Sequence, residues 1–154
     1  MRRQKGGGRR VGDGRDEFAV RVSVRGYETD SQGHLNGSVY LQYAEHARWS
    51  VLQAAGIRQS DLLAKGVGPV TLETTVRYLR ELRAGDEVEV TCAFLWGEGK
   101  TFRMEQEVRR IDDGGVAARV TAVGGLMDLE ARRLVGDPVG YFRALAGDVG
   151  VLGL

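Results

Sequence analysis

The chain has 154 residues, of which 42% are hydrophobic and 28% charged, a composition typical of one globular domain. Its single cysteine, Cys92, cannot form an internal disulfide, and one cysteine with two histidines makes a zinc site improbable. No apolar run is long enough to cross a bilayer, and the N-terminus lacks the apolar stretch of a secretory signal. We therefore expect a cytoplasmic protein with no metal site and no membrane partner.

The charge is distributed unevenly along the chain. Residues 1–15 carry six basic side chains and one acidic one, a net +5, so the remainder sums to −4. Because residues 1–16 are rich in Gly and Arg and have almost no apolar side chains, we expect a disordered tail. A basic tail could bind nucleic acid, but this one has no aromatic residue for base stacking, which favours a solvated tail without a nucleic-acid partner.

Hydrophobic spacing predicts one strand and then one long helix. Residues 18–25 alternate apolar and polar side chains, which is the period of a half-buried strand. From Ser38 to Ala55 the apolar residues follow helical spacing and cover much of the circumference, so we expect a largely enclosed helix that ends at Gly56. A short helix is predicted near residues 60–66.

The second half of the chain has the pattern of antiparallel strands. Turn residues separate four apolar segments, so we expect successive hairpins, with strands near residues 70–80, 86–96, 101–111 and 116–127. A last short helix is predicted at Pro138–Leu145, followed by a flexible C-terminus over 147–154. Because helix and strands are segregated, the arrangement is α+β, a sheet curled around one helix in a single domain over residues 17–146.

The loop between the first strand and the long helix is the most informative segment. It reads YETDSQGHLNGSVY over residues 27–40. Backbone N–H groups at a helix start lack intrahelical partners, and the helix dipole adds positive potential there. A carboxylate beside such a site can act on a carbonyl group that these N–H groups polarise.

The longer pattern YETDSQGHLNGSVYLQYAEHAR resembles the signature of the 4-hydroxybenzoyl-CoA thioesterase-like branch of the hotdog superfamily. In that family an acidic tripeptide precedes Gly-His-Val-Asn and a helix of the form Tyr-Leu-x-Tyr-x-Glu-x-Ala-Arg. The resemblance covers roughly residues 18–130. It implies a hotdog fold, with a five-stranded antiparallel sheet curled around a long central helix. It also implies hydrolysis of an acyl thioester of coenzyme A or an acyl carrier protein, without a bound cofactor.

The resemblance also implies roles for individual residues. Asp30 matches the catalytic carboxylate, acting as nucleophile or as base on water, and Gly33 and His34 shape the loop. Glu28 replaces the usual first aspartate, a change that we expect to matter little. Some relatives have a histidine in place of Gly37, and His34 is a candidate substitute. The oxyanion and substrate-binding segment is the helix start: Asn36, Gly37, Ser38, Val39 and Tyr40.

Other interpretations of these residues remain open. In another branch of the superfamily the catalytic acid lies on the helix, near Glu45. A buried Glu45 would have a raised pKa and could act as a base, or it could pair with Arg48 and hold a dimer together. Asp30 could have the purely structural role of bracing a turn, and Asn36 that of the helix N-cap. We favour Asp30 over Glu45 as the catalytic acid.

The function has alternatives as well. A non-catalytic acyl-thioester binding module and a hotdog dehydratase would share the fold, but dehydratases need a histidine and an acid in a different arrangement from His34 and Asp30 in one loop. High Arg, Gly and Val content suggests a GC-rich genome, where such enzymes often serve polyketide pathways. The exposed sheet edges, and the family's substrate cleft between two subunits, predict a homodimer or a dimer of dimers.

Overall fold

The protein is described by a computed structural model that covers residues 9–12 and 15–154. The main strands are β2 Arg15–Ser23, β3 Val67–Tyr78, β4 Glu87–Thr91, β5 Ala93–Trp96, β6 Thr101–Arg110 and β7 Val116–Asp128. Cys92 separates β4 from β5, and both of these strands pair with β6, so that together they occupy one position of the sheet. The sheet is antiparallel and has five positions in the spatial order β2, β4, β6, β7, β3. The predicted five-stranded sheet is therefore confirmed.

The expected hairpin between the strands at residues 70–80 and 86–96 is wrong. β3 pairs with β7, from Val67 opposite Asp128 to Tyr78 opposite Ala118, and lies at one edge of the sheet. β4 lies between β2 and β6. The chain between β3 and β4 must therefore cross from one side of the sheet to the other. Leu82 is fully buried in this crossing, and its burial fixes the path.

The long helix α1 spans Gly37–Ala54, within one residue of the predicted helix. The buried side chains of α1 recur at three- and four-residue spacing, which places them on one face of the helix, and this face packs into the core. Leu41, Glu45 and His46 on the other face are exposed, so the helix is enclosed less completely than we expected. The buried residues are Val39, Tyr40, Tyr43, Ala44, Ala47, Val51 and Leu52.

The C-terminus differs from the flexible segment that we expected over 147–154. The predicted helix is present as α3, Pro138–Leu145, and a short 3-10 helix follows at Val149–Leu152. Backbone N–H groups of Gly147 and Asp148 donate to the Ala55 carbonyl at the end of α1, at 2.8 and 3.2 Å. Leu152 is only 1% exposed. The segment is ordered because it caps one helix and covers the core.

The N-terminal segment also differs in part from the expected tail. The backbone of β1, Arg9–Gly12, pairs antiparallel with residues 15–18 of β2, so the predicted domain start at residue 17 falls inside a strand. Residues 1–8, 13 and 14 of the predicted tail lie outside the described residues. The remaining elements are α2 at Gln59–Ala64 and β8 at Arg133–Leu134. No described helix is both long and apolar enough to cross a membrane.

Candidate active site

The loop that leads into α1 folds back on itself as a tight hairpin. Asp30 N–H donates to the His34 carbonyl at 2.8 Å, and Asn36 N–H donates to the Glu28 carbonyl at 2.9 Å. Gly33 at the tip has a φ of 76°, in the left-handed region that glycine adopts without strain. Asp30 lies two residues from Glu28, and two extended residues span about 7 Å. The loop therefore keeps Asp30 near the first residue of α1.

Asp30 is exposed, and its carboxylate braces this loop. Oδ1 accepts hydrogen bonds from the backbone N–H groups of Gln32, at 2.8 Å, and His34, at 3.1 Å. These bonds stabilise the charged form and lower the pKa of Asp30 below 3.8. The turn-bracing interpretation is thus confirmed, although it does not exclude chemistry at the other oxygen. Both bonds use Oδ1, so Oδ2 can face a substrate or a water molecule.

The start of α1 leaves one backbone N–H group without a hydrogen bond among the described residues. Asn36 is the helix N-cap, as the sequence allowed, and its Oδ1 accepts from Ser38 N–H at 3.1 Å. Val39 N–H donates to the Asn36 carbonyl at 2.9 Å, and Asn36 N–H is bonded to Glu28. Of the four N–H groups from Asn36 to Val39, only that of Gly37 has no hydrogen bond among the described residues. Of these four groups, the Gly37 N–H is therefore the one that can donate to a bound molecule.

Tyr78 holds this helix start from the end of β3. Its hydroxyl donates to the Gly37 carbonyl at 2.9 Å, and a Cβ atom at position 37 would lie 3.2 Å from that hydroxyl. Tyr40, the last residue of the predicted oxyanion and substrate-binding segment, has a side chain that is 3% exposed and packs edge-on against Tyr78. Burial raises the pKa of Tyr40 to about 12. Tyr78 was missed from the sequence because 41 residues separate it from Gly37.

Glu28 matters more to the structure than the sequence indicated. It is only 9% exposed, and its Oε1 accepts from the Tyr43 hydroxyl of α1 at 2.7 Å and from Arg25 N–H at 2.9 Å. Burial raises the pKa of Glu28, but these hydrogen bonds and the Arg25 charge outweigh burial, so the net pKa lies below 4.5. The carboxylate ties the loop to the buried face of α1.

His34 pairs with a glutamate outside its own loop. Its Nε2 lies 3.1 Å from the Glu81 carboxylate, and Leu35 N–H donates to the Leu82 carbonyl at 2.6 Å. The imidazole is therefore directed to the crossing segment between β3 and β4, while the backbone of His34 makes the hydrogen bonds to Asp30. This geometry fits the predicted loop-shaping role of His34 better than a role as proton carrier.

The structure does not bring Glu45 together with Asp30. Glu45 lies eight residues past the start of α1, about 12 Å along the helix axis. It is exposed, so the burial on which its alternative role as a base depends is absent in the single chain. Burial lowers the pKa of Arg48, an effect that the Glu45 charge only partly opposes. Among the described residues no ion pair joins Glu45 to Arg48.

Two cavities include neither Asp30 nor Gly37, although Glu28 of the loop lines the first of them. A broad groove of about 1010 Å³ runs between β2 and α1 and includes Arg21, Arg25 and His46, but neither Asp30 nor Gly37. A smaller pocket of about 80 Å³ lies between the second half of α1 and the sheet, and Glu45 and Arg48 line it together with mostly apolar side chains. Over the described residues, no group of three or more His, Cys, Asp and Glu side chains could hold a metal ion.

Comparison with known proteins assigns the family. Residues 24–139 match the model of the thioesterase-like superfamily. The chain belongs to this superfamily. It is 36% identical over 114 residues to the chloroplastic acyl-acyl carrier protein thioesterase ATL3 of Arabidopsis thaliana, which covers 69% of this chain. The match spans 60% of ATL3, so the chain aligns with less than two thirds of that relative's length.

Two further matches support the family and the fold. The long-chain acyl-CoA thioesterase FadM of Escherichia coli is 26% identical over 118 residues, which cover 74% of this chain and 86% of FadM. The crystal structure of a 1,4-dihydroxy-2-naphthoyl-CoA thioesterase from Synechocystis superposes with a TM-score of 0.75 at 17% identity, covering 84% of this chain and 95% of the other. The α+β hotdog fold predicted from the sequence motif is thereby confirmed.

Proposed function

We propose that this member of the thioesterase-like superfamily hydrolyses acyl thioesters. The observation that carries the proposal is that the loop holding the ionised Asp30 leads directly into the start of α1, where Gly37 N–H has no partner among the described residues. A negative charge that develops on a thioester oxygen would be stabilised by this N–H group and by the helix dipole. Removal of one such donor typically costs about 2.7–4 kcal/mol of transition-state stabilisation.

The proposed reaction uses Asp30 in one of two ways. As a base, Asp30 takes a proton from water, and the resulting hydroxide forms a bond to the thioester carbon. The C–S bond then breaks, and the departing thiolate receives the proton. As a nucleophile, Asp30 forms a bond to the thioester carbon and the C–S bond breaks, so the thiolate departs and takes a proton from water. Water then hydrolyses the resulting mixed anhydride to the free acid and the Asp30 carboxylate. In both routes the oxyanion faces Gly37 N–H, and Tyr78 fixes its direction through the Gly37 carbonyl.

The substrate class follows from the relatives. Their printed names specify thioesters of an acyl carrier protein, for ATL3, and of coenzyme A, for FadM. Both carriers present the acyl group on the same pantetheine arm, so one site can accept either. We propose that the substrate is an acyl group on such an arm. The polyketide setting suggested by composition stays a prediction.

We further propose that the active unit is a homodimer paired along β3. Within the described chain, β3 pairs on one side only, with β7, and an unpaired edge strand offers its backbone to a second copy. Leu72 and Tyr78 on this strand are 52% and 55% exposed, an unusual number of apolar side chains for an edge. A dimeric sedimentation coefficient that Leu72→Arg converts to a monomeric one would support this interface, whereas a stable, active wild-type monomer would contradict it.

The function is tested by thiol release from a panel of short, long and aromatic acyl-CoA thioesters. Cys92 is buried and should not react with the thiol reagent, so free coenzyme A gives the signal. We expect catalytic release from at least one substrate. Binding without release would support the acyl-thioester binding module instead. Appearance of enoyl-CoA from a 3-hydroxyacyl-CoA would support the dehydratase.

A further inference from the structure

The loop that holds Asp30 is supported from outside by the crossing segment between β3 and β4. Leu35 N–H donates to the Leu82 carbonyl at 2.6 Å, and His34 forms an isolated antiparallel bridge with Arg83. These contacts fix the backbone of residues 34 and 35 against the crossing segment. The second half of the loop therefore has a partner that is remote in the sequence.

His34 connects Asp30 to this segment. Its N–H donates to Asp30 Oδ1 at 3.1 Å, and its carbonyl accepts from Asp30 N–H at 2.8 Å. Its imidazole Nε2 lies 3.1 Å from the carboxylate of Glu81, which belongs to the crossing segment. Two of the hydrogen bonds that orient Asp30 are therefore made by a residue whose side chain is held by Glu81.

The contact between His34 and Glu81 is better suited to orient the loop than to stabilise the fold. The two side chains are 26% and 53% exposed, and exposed ion pairs add little to stability. A neutral imidazole with its proton on Nε2 donates to the carboxylate as a charged one does, so the contact is a hydrogen bond in either charge state. A displacement of about 1 Å at a reacting group can lower a rate by on the order of 10²-fold. Loss of the contact should therefore affect turnover more than unfolding.

We propose that Glu81 is a positioning residue for thioester hydrolysis, and that it acts through His34 to hold the Asp30 carboxylate in its reactive orientation. The inference rests on the proposed function, in which Asp30 is the base or the nucleophile. Glu81 takes no part in bond breaking. It limits the movement of the strand of the loop that brackets Asp30.

The first test is steady-state hydrolysis of an acyl-CoA that the wild type cleaves, measured for Glu81→Ala and Glu81→Gln. We expect Glu81→Ala to lower kcat about 10-fold and to keep KM within about twofold, because a misplaced Asp30 weakens the transition state alone. A Gln amide oxygen can still accept from the imidazole, so Glu81→Gln should retain at least about half of the wild-type kcat. An unchanged kcat in Glu81→Ala, or an equal loss in both variants, would overturn the inference.

The route through His34 is tested by a double-mutant cycle. His34→Ala removes the imidazole but keeps both backbone hydrogen bonds to Asp30, so it should lower kcat by about as much as Glu81→Ala. The variant with both substitutions should be no slower than either single variant, because each removes the same contact. Losses that multiply would show that Glu81 acts by another route, and would overturn the inference.

Glu105→Ala is the matched control. The Glu105 carboxylate lies on β6, outside the loop, 3.8 Å from the Arg103 guanidinium, and the side chain is 54% exposed, close to the value for Glu81. This variant should keep the wild-type kcat. The melting temperatures of Glu81→Ala and Glu105→Ala should both stay within about 3 °C of wild type. An equal loss of kcat in these two variants would mean that any lost surface charge slows the enzyme, and would contradict a specific role for Glu81.

Failure of the proposed function gives a different result. A wild type that hydrolyses no thioester contradicts the hydrolase and leaves the positioning of Asp30 to be judged by amide hydrogen exchange. The amides to follow are those of Gln32 and His34, which donate to Asp30. Glu81→Ala should speed their exchange by about threefold or more, and Glu105→Ala should not. Equal exchange rates in wild type and Glu81→Ala would overturn the inference.

Discussion

Replacement of Glu28 by Gln removes the buried charge that ties the loop before α1 to this helix. The carboxylate accepts from the Tyr43 hydroxyl at 2.7 Å and from Arg25 N–H at 2.9 Å, and the Arg25 guanidinium lies 3.5 Å away. Hydrogen bonds to a charged group contribute about 1.5–3 kcal/mol each, and an amide can retain only part of this. We expect Glu28→Gln to lower the free energy of unfolding by about 2–3 kcal/mol at neutral pH.

The effect should depend on pH with a definite sign. Burial raises the pKa of Glu28, but the hydrogen bonds from Tyr43 and Arg25 outweigh it and bring the folded-state pKa below 4.5. As pH falls, the Glu28 carboxylate takes up its proton at a higher pH in the unfolded chain than in the folded one. The charged carboxylate therefore stabilises the fold fully above pH 4.5, and this contribution is lost as pH falls through the lower pKa of the folded state. The stability difference between wild type and Glu28→Gln should therefore shrink below about pH 4.

Urea unfolding, followed by circular dichroism at pH 7 and pH 3.5, measures both effects. The set comprises wild type, Glu28→Gln, Tyr43→Phe and the double variant, whose coupling energy should be about 1 kcal/mol or more. Glu87→Gln is the control, because that carboxylate is also paired, with Arg21 and Ser23, but it is 38% exposed. A Glu28→Gln protein within about 0.5 kcal/mol of wild type, or single effects that simply add, would refute the reasoning.

Three further outcomes are expected. Tyr78→Phe loses the hydrogen bond to Gly37. In steady-state kinetics the fold decrease in kcat should exceed the fold increase in KM. An unchanged kcat would show that Tyr78 does not position the helix start. Gly33→Ala, at a φ of 76°, should cost about 1 kcal/mol in thermal unfolding, whereas Gly26→Ala, which meets open space, should cost less. Burial raises the pKa of the Cys92 thiol to about 12, so native protein at pH 8 should resist iodoacetamide, and rapid modification would contradict its burial.

Local patterns in the sequence predicted the local elements well. The helix at Pro138–Leu145 agrees at both ends, and α1 agrees to within one residue, because hydrophobic period and caps are properties of neighbouring residues. The partner of β3 could not be predicted in the same way. An alternating strand has the same pattern whichever strand it pairs with, and the buried crossing at Leu82 that separates β3 from β4 has no local signature.

In the candidate site, too, local features could be predicted from the sequence and long-range contacts could not. The capping role of Asn36 and the turn at Asp30 could be predicted, because each depends on bonds within four residues. The role of Glu28 was missed because its partner, Tyr43, lies 15 residues away on another element. The order of the C-terminus was missed for the same reason, since Leu152 meets Trp96 only in the folded chain.

The kcat of Asp30→Asn is the measurement that tests the proposed mechanism most directly. The amide oxygen can still accept from Gln32 and His34 N–H, so the loop and the melting temperature should be preserved. The variant cannot act as base or as anionic nucleophile, and kcat should fall by about 10²- to 10⁴-fold while KM stays near the wild-type value. Glu45→Gln, the comparison on α1, should keep its kcat within a few-fold. Full turnover by Asp30→Asn, or loss of turnover in Glu45→Gln alone, would contradict the assignment of Asp30 as the catalytic carboxylate.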